Sequence, residues 1–192
     1  MKKDIIIAGV GGQGILSIAA VIGYAAVEAN LYLKQAEVHG MSQRGGDVQS
    51  HFRLSDKPIA SDLIPKGKAD VIISVEPMEA LRYLPMLSPT GWLITNVNPY
   101  VNINNYPDIE KVMGAVRNFP NHKALDADAI AKELKSSRSA NIVVLGAAAP
   151  FLDIDQELLE NALRTLFGRK GDKVVEANIA ALRAGRKFSE EN

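Results

Sequence analysis

Gly9, Gly11 and Gly14 stand at the spacing G-x-G-x-x-G, directly after the apolar run Ile5-Ile6-Ile7-Ala8 and directly before a helix-like stretch from Ile15 to Asn30. That context predicts a strand turning sharply into a helix. Glycine supplies positive φ and lets another group approach the backbone. The first N–H groups of the helix are unpaired and lie at the positive end of its dipole. The chemistry on offer is anion binding, most often of a phosphate. Gly12 and Gln13 complete the turn, so the first candidate set is Gly9, Gly11, Gly12, Gln13 and Gly14. Tight strand–helix packing is the other use such glycines have.

A second loop, His39-Gly40-Met41-Ser42-Gln43-Arg44-Gly45-Gly46, breaks any regular pattern. A guanidinium offers forked donors to phosphate or carboxylate, and the glycines after it allow close approach. Gln43, Arg44, Gly45 and Gly46 form the second candidate set; a surface turn with Arg44 bound to a nearby carboxylate is the alternative. Glu37 lies near the end of the second expected strand, where a dinucleotide site places an acid on a ribose hydroxyl. A solvated strand end explains it as well. His39 sits beside the loop, where it either positions a ligand or caps backbone groups.

No acid, base, nucleophile or metal set accompanies these loops. The three histidines, His39, His51 and His122, have no zinc-type spacing. Ser17, Ser42 and Ser74 are in no G-x-S-x-G elbow, and no G-x-x-x-x-G-K-[ST] string is present. The pattern suits a chain that binds a phosphorylated cofactor while another chain performs the chemistry.

The elements that must position these loops follow from periodicity. Leu31 to Val38 reads as a strand, so that strand, helix and strand predict a right-handed parallel crossover. Asp47 to Leu54 alternates polar and apolar residues, as a strand with one wet side does. Ala69 to Val75 is a short apolar strand, and Pro77 suits the first position of a helix running to Leu84. Residues 87–91 read as a turn, Trp92 to Asn96 as a strand, Asn98 to Asp108 as irregular, and Ile109 to Val116 as a short helix. Asp126 or Asp128 caps a helix through Leu134. Asn141 to Phe151 reads as a buried helix, and the stripes Leu158–Phe167 and Val175–Leu182 as two more. The expectation is one α/β domain over residues 1–192: three α/β/α layers, a largely parallel sheet and a helical C-terminal part.

Composition sets bounds. Of 192 residues, 47% are hydrophobic, and 22 basic residues balance 22 acidic ones. Zero net charge gives no basis for nucleic-acid binding, which needs excess cations. With no cysteine, the chain has no thiolate for an ordinary iron–sulfur cluster. The N-terminal apolar run is short and interrupted, and no stretch has the length of a membrane helix. A cytoplasmic protein is expected.

The paired strings Gly9-Val10-Gly11-Gly12-Gln13-Gly14 and Glu37 to Gly46 resemble the gamma-type subunit of the 2-oxoacid:ferredoxin oxidoreductases. His-Gly-Met-Ser-Gln-Arg-Gly-Gly, Asn141 to Gly146 and the C-terminal helices look most like the small (beta) subunit of the indolepyruvate type. The resemblance spans nearly the whole chain. It implies a complex that decarboxylates an aryl 2-oxoacid on thiamine diphosphate, passes electrons through iron–sulfur clusters to ferredoxin, and gives the acyl group to coenzyme A. Thiamine diphosphate, magnesium and the 4Fe–4S clusters then belong to a large (alpha) partner subunit. This chain also lacks the Gly-Asp-Gly thiamine signature: Gly46-Asp47-Val48 and Gly171-Asp172-Lys173 both miss the last glycine. The resemblance implies that this chain holds no cofactor tightly and contacts the phosphates of coenzyme A, a co-substrate, through the two candidate sets; an interface role for the second loop is the competing reading. A free-standing NAD- or FAD-binding oxidoreductase using Glu37 is the other reading.

Overall fold

The computed structural model describes residues 1–40 and 45–192. Six strands form one sheet in the order β2-β3-β1-β4-β5-β6. They are β1 (Lys2–Val10), β2 (Tyr32–His39), β3 (Asp47–Ser55), β4 (Ala69–Ser74), β5 (Leu87–Asn96) and β6 (His122–Leu125). Pairings β1–β4, β4–β5 and β5–β6 are parallel, whereas β1–β3 and β2–β3 are antiparallel. The sheet is thus largely parallel, with an antiparallel edge.

That edge corrects one expectation. β1 and β2 run the same way, but β3 lies between them. The chain leaves β2 through the second glycine loop and returns as a hairpin strand, which takes the place beside β1. From Asp4 to Val10 both faces of β1 are buried, as the apolar run Ile5-Ile6-Ile7-Ala8 in a central strand requires. Its side chains alternate between two cores: Ile5 and Ile7 point to one, Ile6 and Ala8 to the other.

The larger core is covered by α1 (Ile15–Glu28), α4 (Ala127–Glu133), α5 (Ala140–Ala148), α6 (Gln156–Phe167) and α7 (Asp172–Glu191). The smaller is covered by α2 (Pro77–Arg82) and α3 (Ile109–Arg117). The three-layer reading holds. α5 is apolar all round because it lies between the sheet and α7. Glycines make this stacking possible. A Cβ at Gly146 would lie 2.0 Å from the Leu182 carbonyl oxygen, and one at Gly185 would lie 1.9 Å from that of Val143. α7 runs through Gly185 to Glu191.

Two further differences concern β5 and β6. Leu87 pairs with Ala69 and Trp92 with Val71, so five steps of β5 match two of β4. Residues 87–91, expected as a turn, are an irregular stretch inside the strand. β6 has four residues, too few to show a period, and only pairing with β5 makes it a strand.

Candidate functional site

At the C-terminal ends of β1 and β4 the chain parts to opposite faces. After β1 it enters α1 over the larger core, and after β4 it enters α2 over the smaller. Such a switch point opens a crevice in α/β sheets. The glycine turn sits there. Gly14, with φ 80°, is the N-cap of α1; it has no side-chain cap, and the first turn of the helix has no acidic residue. Gly12 has φ 103°, and nothing lies within 4 Å of where a Cβ would be. Gly9 differs: a Cβ there would meet Val75 at 2.4 Å, so its role is strand packing. Gln13 braces the turn. Its Oε1 accepts the Val10 N–H at 2.8 Å, and its Nε2 donates to the Val75 carbonyl at 3.4 Å.

The two candidate loops come together. Gly11 N–H donates to the Gly46 carbonyl at 2.8 Å, and Gly45 N–H donates to the Gly11 carbonyl at 3.3 Å. Gln43 and Arg44 lie outside the described residues. His39 lines a shallow cavity of about 360 Å³ with Gly12, Gly14 and Ser17, and its ring is paired with Glu37. Glu37 belongs to the edge strand, separated from β1 by β3, and also accepts from Gln35 at 3.1 Å. An acid on a ribose must end the strand beside β1. The dinucleotide reading therefore has no support.

Two cavities of about 430 Å³ each flank the turn and share Gly12, Gln13, Arg138 and Asn141. The first reaches Asn96, Asn98, Tyr100 and Asp128. Its polar wall is ordered: the amides of Asn96 and Asn98 both donate to Asp128 at 2.9 Å. The second reaches Ser17, Lys170, Lys173 and Asn178. Among the described residues, none of Arg138, Lys170 and Lys173 is in a salt bridge. Three cations without a salt-bridge partner thus line one cavity beside the helix N-terminus, Lys170 lying 5.1 Å over the Phe167 ring, and the fields of all four add for an anion. Sequence reasoning missed these cations and the amides. They come from loops and helix ends more than 80 residues downstream, and no local pattern separates them from surface charge.

Behind the loops lies an acidic cluster. Tyr83 donates to Asp47 at 2.5 Å, and Arg82 forks onto Glu79 at 2.7 and 3.2 Å. Burial pushes the Glu79 carboxyl up to about 7, against the opposing hydrogen bond from Arg82 and with added repulsion from Asp47. Burial and the Asp47 carboxylate raise the Tyr83 phenol.

These features define an α/β chain with an uncapped glycine turn at the switch point of a mixed sheet. Residues 4–188 match the family model for pyruvate ferredoxin/flavodoxin oxidoreductase, and the chain belongs to that family. It is 37% identical, over 100% of its own length and 98% of the relative's, to the indolepyruvate oxidoreductase subunit IorB of Pyrococcus horikoshii. In fold it is similar to the gamma subunit of keto/oxoacid ferredoxin oxidoreductase from Geobacter sulfurreducens, with TM-score 0.73, 23% identity and 99% of both chains covered. It is also similar to 2-oxoglutarate:ferredoxin oxidoreductase from Magnetococcus marinus, solved with 2-oxoglutarate, coenzyme A and succinyl-CoA, at TM-score 0.78 and 24% identity. There it covers 100% of this chain and 31% of that one.

Proposed function

We propose that this chain is the accessory subunit of an indolepyruvate-type 2-oxoacid:ferredoxin oxidoreductase. Its full-length similarity to a curated indolepyruvate oxidoreductase subunit carries this reading. The complex decarboxylates an aryl 2-oxoacid, transfers the acyl group to coenzyme A and sends the electrons to ferredoxin. Thiamine diphosphate, magnesium and the 4Fe–4S clusters supply the decarboxylation and electron transfer from a large partner subunit. The residues here fit that division, because the chain has no cysteine to ligate a cluster. The complex works in the cytoplasm; no helix among the described residues is long and apolar enough to cross a membrane.

Within the complex this chain binds the phosphates of coenzyme A. The open helix N-terminus at Gly14 and the cations Arg138, Lys170 and Lys173 around one cavity support the assignment. Its residues hold and orient the co-substrate and take no redox step. Co-expression with the large subunit tests the division of labour: the complex oxidises indolepyruvate with coenzyme A, and the isolated chain does not. Turnover by the isolated chain overturns it.

A further inference from the structure

Glu76 is fully buried, two residues past the end of β4. It is in no salt bridge among the described residues. An uncompensated buried carboxylate is costly unless donors surround it. The donors come from two directions. Oε2 accepts the Glu79 N–H at 2.8 Å and caps α2. Oε1 accepts the Tyr106 hydroxyl and, at 3.3 Å, the Tyr100 N–H. Those tyrosines lie in the irregular segment whose Asn98, Pro99 and Tyr100 wall the first cavity.

Apolar burial does not hold this segment. Residues 101–105 are all exposed, Val101 at 67% and Ile103 at 41%. Polar pins do. Midway, the Asn102 amide donates to the Gly45 carbonyl, and Gly45 and Gly46 are bonded to Gly11. Gln13 then leads back to Val75, the chain neighbour of Glu76. A ring of hydrogen bonds thus encloses the cleft end of β1 and β4. Burial and the Glu76 carboxylate also raise the Tyr106 phenol, which keeps it a donor.

We propose that Glu76 is a positioning residue: it clasps segment 97–106 over the cleft and, through Asn102, holds Gly45 and Gly46 against Gly11. Only the kinetic part of its test rests on the coenzyme A reading.

Tyr106→Phe and Asn102→Ala, made in the complex with the large subunit, each cut the ring and leave the α2 cap intact. Amide hydrogen exchange should quicken about fivefold in residues 97–106 and at Gly45 and Gly46, the effect of one lost hydrogen bond. The KM for coenzyme A should rise severalfold with kcat nearly unchanged. A lowered melting temperature with unchanged exchange at Gly45 and Gly46 overturns the proposal, since a merely structural bond would do only that. A Lys170→Ala/Lys173→Ala variant separates the two readings. If it leaves the KM for coenzyme A unaltered, the ligand reading fails and the exchange data alone decide the clasp. If it raises that KM and the Tyr106 and Asn102 variants do not, the clasp fails.

Discussion

The side-chain amide of Asn141 donates to the backbone carbonyl of Gly14 at 3.0 Å, joining positions 127 residues apart. Gly14 starts α1 and Asn141 lies in the first turn of α5. The glycine turn is therefore braced by the most buried helix of the C-terminal half. Asn141→Ala should cost about 1 kcal/mol, the usual net worth of a hydrogen bond. The thermal midpoint would then fall by roughly 2–4 °C, measurable by calorimetry.

Removing cations from the second cavity should weaken coenzyme A binding without slowing the step that follows. Each lost charge-assisted contact is worth about tenfold in affinity. Lys170→Ala/Lys173→Ala should raise the KM for coenzyme A in the complex and flatten its dependence on ionic strength, since exposed charges are screened by salt. Steady-state kinetics across a salt series reads both effects.

The contact between α5 and α7 leaves no room for a methyl group. Gly185→Ala would press a Cβ against the Val143 carbonyl. Backbone cannot yield as a flexible side chain does, and overpacking costs about 2–3 kcal/mol. A midpoint lowered by roughly 5–10 °C is expected. Gly168→Ala is the control, because nothing lies within 4 Å of its added Cβ.

Glu79 should make the protein less stable as pH rises. Its folded pKa, about 7, exceeds the ordinary 4.5, so the folded state keeps a proton that the unfolded state releases. Its favourable contribution is complete below pH about 4.5 and is lost as pH passes through about 7. Glu79→Gln removes this titration. Urea midpoints between pH 5 and pH 8 should fall less for the variant than for the parent, and equal slopes would refute the assignment.

Local pattern made much of this molecule legible. The apolar run ending in glycines marks β1 and its turn, because a central strand buried on both faces has few polar residues. The stripe at Leu159, Ala162 and Leu163 marks α6, because a helix with one wet side repeats every 3.6 residues. The absence of cysteine limited the chemistry before any fold was known.

Tertiary structure decided the rest. β3 inserts between β2 and β1, a choice made by pairing across the sheet that no residue in β2 announces. That insertion removed Glu37 from the site and brought Gly45 and Gly46 onto Gly11. Arg138, Lys170 and Lys173 line one cavity with the turn, and α5 and α7 stack closely beside it through Gly146 and Gly185. Periodicity reports which face of an element is dry. It carries no information about which distant charges share a cavity, since that depends on contacts between elements remote in the chain.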